Sequence, residues 1–169
     1  MPTPGSPIAG AFFLDYRDPR SRKRDWAFYF HNGVTTEGVN YLLNAAFRGG
    51  SQQPNWFLGL IDDAGFSALA AADTHALHSG WGEYTGIFLS SRPAWNVLTA
   101  ASGGIVPSSS VSVFQITAAG SVRGALVASQ QAVGTGGGAV LYATGAMSAG
   151  MSVSVGGVLS VTYAAQLRN

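Results

Sequence analysis

The sequence has 169 residues, enough for a hydrophobic core, but only 10% of them are charged, against roughly 25% in an average soluble domain. With a formal net charge of +1, the protein has no strong overall electrostatic field that would attract nucleic acid or anionic membranes. A hydrophobic content of 47% excludes an intrinsically disordered chain of the charge-rich kind. The absence of cysteine excludes disulfides, thiolate metal sites and thiol nucleophiles. No apolar run approaches the roughly 18 residues of a membrane helix, so we expect no membrane contact.

The chain begins with a proline-rich stretch. Pro2, Pro4 and Pro7 favour an extended N-terminal arm over residues 1–8, which has no pattern of a signal peptide. The glycine-rich breaks further along resemble loops rather than linkers. The sequence therefore predicts a single domain over residues 9–169.

Two apolar runs, residues 11–14 and 26–30, predict strands on either side of a charged stretch. That stretch holds five of the nine basic residues, which are Arg17, Arg20, Arg22, Lys23 and Arg24. Pro19 and Ser21 mark a turn, so we predict a basic hairpin at about residues 15–25. Because three aspartates are interleaved and no second basic face exists, we expect the five cations to bind an acidic protein surface rather than nucleic acid.

One short α-helix is predicted over residues 36–48. Val39, Leu42, Leu43, Ala46 and Phe47 follow helical spacing and form one apolar stripe. The preceding threonine, residue 35, can cap the first turn, and two glycines at 49–50 can end the last one.

The rest of the chain is typical of strands. Short apolar or alternating runs predict strands over residues 56–61, 84–89, 111–117, 121–129, 139–144 and 159–167. From residue 93 to the end, only Arg123 and Arg168 are charged, which suits strands packed on other strands or on neighbouring subunits. We expect a mainly β protein, an antiparallel sandwich or jelly roll with one helix.

The densest set of reactive side chains lies in residues 62–83 and comprises Asp62, Asp63, Asp73, His75, His78 and Glu83. The histidines could bind a divalent metal, Asp62 and Asp73 could hold calcium, and the aspartates with the histidines could serve a small hydrolase. No metalloprotease, EF-hand or nucleophile-elbow spacing is present. The favoured interpretation is that Asp73 and Thr74 cap a short turn and that the histidines hydrogen-bond to backbone or face solvent, with no catalytic, cofactor or metal site.

Three tryptophans, Trp56, Trp81 and Trp95, stand near turn residues. They could stack on sugars, but packing in the core is the favoured role. Glu83 and Arg92 are lone charges in apolar surroundings, and an ion pair across adjacent strands would satisfy both. Trp56, Asp73, Trp81, Glu83, Arg92 and Trp95 are therefore expected to be structural.

Several motifs together resemble a family of small virion structural proteins of tailed bacteriophages. They are YLLNAAFRGG at 41–50, WFLGLID at 56–62, GF at 65–66, AADT at 71–74, HSGWGEY at 78–84 and RPAW at 92–95. FQI at 114–116, VRGA at 122–125 and LSVTY at 159–163 continue the resemblance more loosely. It covers residues 36–167 and leaves out the arm and the basic hairpin.

The resemblance implies a non-enzymatic protein of the virion, assembled in the bacterial cytoplasm. We expect a capsid decoration or cement protein that binds the major capsid protein or other virion proteins. A homotrimer would suit a local three-fold junction of the shell. The alternative is a tail or head fibre or adaptor protein that binds host glycans through exposed tryptophans.

Overall fold

The computed structural model describes residues 8–99, 105–136 and 138–167. It is mainly β with one α-helix, α1 (Thr36–Phe47), and a short 3-10 turn, Phe88–Ser90. The eight strands are β1 (Ile8–Arg17), β2 (Arg24–Val34), β3 (Phe57–Asp62), β4 (Ile105–Pro107), β5 (Ser112–Gln115), β6 (Gly120–Ala128), β7 (Leu141–Val153) and β8 (Val158–Leu167). The predicted sandwich-like antiparallel architecture is confirmed.

All the strand pairs are antiparallel, in the order β3-β6-β7-β2-β1-β8-β4, with β5 also pairing with β8. β2 and β7 pair only at Gly33–Thr144 and Val34–Ala143. Beyond that short junction the two strands have no ladder with each other, so the sheet folds into two facing halves. One half contains β1, β2, β8, β4 and β5, and the other contains β3, β6 and β7.

The open side of the sandwich is spanned by residues 82–97, which we call the closing segment. It forms isolated bridges with β3 at Ile61 and Phe57, and with residues beside β5 and β4 at Ile116 and Ser108. The Tyr84 amide donates to the Leu60 carbonyl at 2.8 Å. The closing segment therefore gives hydrogen-bond partners to edge backbone in both halves, as buried sheet edges require.

The core lies between the two halves. Period-two alternation directs Phe12, Leu14 and Tyr16 of β1 inward, opposite the inward residues of β8 such as Val161 and Leu159. Leucines of β3 and valines of β6 cover them from the other half. A second, smaller cluster on the outer face of β3 and β6 packs Ile61 and Leu126 under Trp81, so this half is buried on both faces.

The helix prediction is confirmed in position, with its end one residue earlier, at Phe47. Thr35 caps it as predicted, because its hydroxyl accepts from the Gly38 amide at 3.0 Å. The expected apolar stripe is only partly covered, since Leu43 is exposed and Phe47 is 82% exposed. The helix instead approaches β7 at Gly38, where an added Cβ would lie 2.4 Å from the Tyr142 carbonyl oxygen.

Three other sequence predictions need correction. Residues 84–89 do not form a strand, because they contact the sheet only at isolated bridges and turn through Phe88–Ser90. β7 is much longer than predicted, and the three-residue β4 was missed. The predicted arm lies outside the described residues except for Ile8, which begins β1.

Candidate functional site

The residues of greatest chemical interest meet around Arg92 in the closing segment. The Arg92 guanidinium pairs with Glu83 in the predicted ion pair, with Nε to Oε1 and Nη2 to Oε2 both at 2.7 Å. The Arg92 side chain is 2% exposed and that of Glu83 is 7% exposed. The two residues lie on one connecting segment rather than on adjacent strands, which corrects the geometry expected for them.

Arg92 uses its remaining donors on three other groups. Nη1 donates to the Gln130 carbonyl at 2.7 Å and to Nε2 of His75 at 3.2 Å, and Nη2 donates to the Gly134 carbonyl at 3.2 Å. All five N–H groups of the guanidinium thus have acceptors. We call Arg92, Glu83 and His75 the Arg92 cluster.

The contact with Arg92 fixes the protonation of His75. A guanidinium can only donate, so Nε2 accepts and Nδ1 carries the proton, which it donates to the Gly136 carbonyl at 3.1 Å. Burial lowers the pKa of His75, and the positive charge of Arg92 lowers it too, although the Gly136 contact and the charges of Glu83 and Glu37 oppose the shift. His75 is therefore neutral at pH 7.

The segment before the cluster is held by similar contacts. Oδ2 of Asp73 accepts from the Trp81 indole at 2.8 Å and from the Ala70 amide at 2.9 Å. His78 stacks on Trp81 with ring centroids 3.7 Å apart, and its Nδ1 is 3.0 Å from the Trp81 carbonyl. Asp73 thus caps a turn and both histidines bond to backbone carbonyls, as the favoured interpretation predicted.

Glu37 links the helix to this region. Its Oε2 accepts from the His75 amide at 2.9 Å and from the Leu141 amide at 2.7 Å. The carboxylate therefore joins α1, β7 and the segment of the Arg92 cluster. These two partners lie 38 and 104 residues from Glu37 along the chain, so no local sequence pattern predicts the contacts.

These contacts occupy the side chains of the cluster that could act as a general base. Nε2 of His75 is occupied by Arg92, and both oxygens of Glu83 accept charge-assisted hydrogen bonds, so neither group is free to act as a general base. Over residues 8–99, 105–136 and 138–167, no three His, Asp or Glu side chains are grouped to hold a metal ion. The cluster fastens the closing segment to the loop around Gly134.

The carboxylates at the end of β3 do not join this cluster. Oδ1 of Asp62 accepts from the Ala64 amide at 3.0 Å, and Asp63 pairs with Arg123 at 3.4 Å. Arg123 also lies over the ring of Phe66, 4.8 Å from its centroid. Asp62 and Asp63 are therefore turn and surface groups, separate from Asp73.

The tryptophans predicted to be structural pack inside the protein. Trp81 and Trp95 are buried, and the Trp95 indole donates to the Tyr163 carbonyl at 3.2 Å. Trp56 is half-buried, with its ring edge-on to Tyr41. Trp81 and Trp95 are too buried to offer the open ring face that stacking on a sugar would need.

The basic hairpin is present as predicted, with β1 ending at Arg17 and β2 beginning at Arg24. Arg24 pairs with Asp15, while the side chain of Asp18 accepts from two amides of the turn. These two hydrogen bonds lower the pKa of Asp18, with that from Ser21 the stronger. The other four predicted cations of the hairpin are all exposed and form no salt bridge in the described part of the chain: Arg17, Arg20, Arg22 and Lys23.

The outer face of the β2-β1-β8 half is a second exposed surface. Phe13 of β1 and Tyr29 of β2 are cross-strand neighbours there, and both are exposed. Thr162 of β8 lies on the other side of Phe13 in the same row. Phe13 and Tyr29 belong to the apolar runs 11–14 and 26–30, whose composition gave no indication that these two side chains are exposed.

No protein-family model matches this chain, and no curated protein sequence matches it. Within the described residues, no helix is long and apolar enough to cross a membrane.

Proposed function

We propose that this chain is a non-enzymatic structural subunit of a tailed-phage virion, a decoration or cement protein that binds the lattice of the major capsid protein. The proposal starts from the resemblance in residues 36–167. One structural observation supports it most directly, which is the hairpin turn with four exposed cations that form no salt bridge in the described part of the chain.

An exposed basic hairpin suits docking on a shell. Its backbone is braced by the β1–β2 ladder and by the Asp18 contacts, so the cations are presented on an ordered turn. Carboxylates of the capsid surface would pair with Arg17, Arg20, Arg22 and Lys23. Such charge pairs mainly fix the orientation of the bound protein and speed up its association, and they contribute less to the affinity. The exposed aromatics on the β1 and β2 face would add apolar contact.

The chemistry of the interior agrees with a structural role. The reactive side chains of the 62–83 region bind other groups of the protein, and the Arg92 cluster joins the closing segment to a loop. The alternative glycan-binding role relied on exposed tryptophans, and Trp81 and Trp95 are buried. The capsid role is therefore the one the surface favours.

The test uses particles that lack this protein, to which the full chain is added back. We expect the chain to co-sediment with the heads, and image reconstruction to place its density on the shell. A combined Arg17→Gln, Arg20→Gln, Arg22→Gln and Lys23→Gln variant should bind at least tenfold more weakly and with a smaller salt dependence. Arg48→Gln, which neutralises an exposed cation at the end of α1, is the control and should bind normally.

Three results would contradict the proposal. Density confined to the tail would move the protein away from the shell and favour the adaptor role. Undiminished shell binding by the combined variant would mean that the hairpin is not the docking element. Tight binding of the chain to free DNA would mean that the partner of the hairpin is the phosphate backbone of a nucleic acid rather than an acidic protein surface.

A further inference from the structure

The 130–136 loop lies in the connection between β6 and β7, and it packs against the closing segment. The Arg92 amide donates to the Gln131 carbonyl at 2.8 Å. Ser91 and Ala132 form an isolated bridge between the same two parts of the chain. Because the loop lies beyond the end of one strand and before the start of the next, its position depends on contacts of this kind.

The side chains of the Arg92 cluster hold the same loop. They donate to three of its backbone carbonyls, those of Gln130, Gly134 and Gly136. The Glu83 carboxylate also accepts from the Gly134 amide at 2.9 Å. Within the described residues, each side-chain hydrogen bond of the cluster ends either on another member of the cluster or on this loop. The attachment of the loop therefore depends on the charge state of the cluster.

His75 is the member of the cluster whose charge can change between pH 5 and 8. Its Nε2 accepts from Nη1 of Arg92 at 3.2 Å, and a guanidinium has no acceptor to offer in return. A proton on Nε2 would place two donors and two positive charges face to face. Both residues are buried, at 3% and 2% exposure, so water cannot relieve this conflict. The contact with Arg92 therefore requires a neutral His75.

The charged and titratable groups around His75 come from the closing segment, from α1 and from its own segment, and they are Arg92, Glu83, Glu37, Asp73 and His78. The three carboxylates already accept hydrogen bonds from other groups of the protein. Burial, the largest effect, and the charge of Arg92 lower the pKa of His75, against the contact with Gly136 and the charges of Glu83 and Glu37. The neutral ring is thus the form that the folded site favours.

A cavity of about 270 Å³ adjoins the cluster. Its lining includes the apolar side chains of Trp81, Leu126 and Leu141. Gly134 and Thr135 of the loop line it from one side, and the closing segment lines it from another. Separation of the loop from the closing segment would therefore widen this cavity and bring its apolar side chains into contact with water.

We propose that the Arg92 cluster is a pH-sensitive switch: protonation of His75 separates the 130–136 loop from the closing segment and exposes the apolar side chains of the cavity. The change is a local opening, because the β1–β2 and β1–β8 ladders are formed by other residues and keep their hydrogen bonds. The inference concerns the isolated chain and does not depend on the proposed virion role.

The experiment is hydrogen exchange of single amides in the full chain, followed by NMR between about pH 7.5 and 5.0. The reporters are the amides of Arg92 and Gly134, which donate across the contact. After correction for the intrinsic exchange rate, their protection should fall by up to tenfold for each pH unit below 6.5, until the pH reaches the folded pKa of His75. Amides of the β1–β8 ladder should keep their protection over the same range.

Two variants separate His75 from other titrating groups. His75→Gln keeps an acceptor for Arg92 and a donor for Gly136, so the protection of its reporter amides should not depend on pH in this way. His78→Gln is the matched control, because His78 lines the same cavity, and it should respond as the wild type does. A dye that fluoresces on apolar surfaces should bind the wild type more strongly at the acid end of the range, and His75→Gln equally at both ends.

Three results would overturn the inference. They are constant protection of the reporter amides in the wild type, an equal loss in the wild type and in His75→Gln, and an equal loss in the β1–β8 ladder, which would indicate global unfolding. If His75→Gln does not fold, the ring protons of His75 in the wild type are titrated by NMR. The pKa they give should coincide with the pH at which protection stops falling, and a mismatch would show that another group controls the opening.

Discussion

At the scale of single residues, the feature with the greatest energetic weight is the buried guanidinium of Arg92. A buried cation is tolerated only when each of its N–H donors has an acceptor and a counter-ion balances its charge. Arg92 meets this condition, because its five N–H groups all have acceptors and Glu83 is its counter-ion. Removing the cation would leave Glu83 buried with the Gly134 amide at 2.9 Å as its remaining partner.

Arg92→Met should therefore destabilise the protein by about 3–5 kcal/mol in urea unfolding. Arg24→Met removes a cation of similar size from the exposed Arg24–Asp15 pair and should change the unfolding midpoint little. Equal effects of the two substitutions would mean that the Arg92 pair does not contribute more than a surface ion pair.

His75 should make stability depend on pH. Burial holds the pKa of His75 in the folded protein below the ordinary 6.5 of the unfolded chain. At pH values between the folded and the unfolded pKa, the unfolded chain therefore binds more protons than the folded protein. Stability is then fully present above about pH 6.5 and is lost as the pH falls through the folded pKa. Unfolding in urea at a series of pH values should show this loss in the wild type.

His75→Gln is the matching variant, because an amide oxygen can accept from Arg92 and an amide N–H can donate to Gly136. The variant should lack the part of the pH dependence that His75 contributes. Identical pH profiles would show that His75 is not the titrating group.

The Glu83–Arg92 pair could be predicted from the sequence because two lone charges in apolar surroundings each need a partner. The role of His75 could not, since its contact with Gly136 joins residues 61 positions apart through a glycine-rich loop without a periodic pattern. The polar side chains of the cluster could thus be picked out from the sequence, but the backbone carbonyls of Gln130, Gly134 and Gly136 that complete it could not.

At the scale of elements, the helix shows where local patterns suffice. Its start depends on the Thr35 cap and its position on helical spacing, and both are properties of neighbouring residues. The burial of its stripe depends on what packs against it, and Leu43 and Phe47 remain exposed. The strand predicted at residues 84–89 was wrong for a related reason. These residues have a composition typical of strands, but in the fold they form isolated bridges instead of a continuous ladder.

The close approach of α1 to β7 gives a prediction at this scale. Gly38→Ala should destabilise the protein by about 1–2 kcal/mol even though alanine favours helix, because its Cβ would collide with the Tyr142 backbone. Gly33→Ala, where no atom lies within 4 Å of the added Cβ, is the control and should cause no such loss. Thermal unfolding followed by circular dichroism measures both, and a stabilised Gly38→Ala variant would contradict the packing.

At the scale of the whole molecule, the sandwich depends on contacts between distant parts of the chain. β1 pairs with β8, β3 with β6, and the closing segment bridges the two halves. Composition and alternation could predict many antiparallel strands with one helix. They could not predict strand order, because the period-two pattern states which face is buried and not which strand is the neighbour.

The pairing of β1 with β8 has a practical consequence. Ile8 is the partner of Leu167 and Arg17 is the partner of Val158, so both ends of the described chain leave one end of the sandwich while the basic hairpin stands at the other. Nine residues of strand separate them, about 30 Å. A reporter or antigen joined directly at Ile8 or Leu167 would therefore stand at the end of the sandwich opposite to the surface that the hairpin binds.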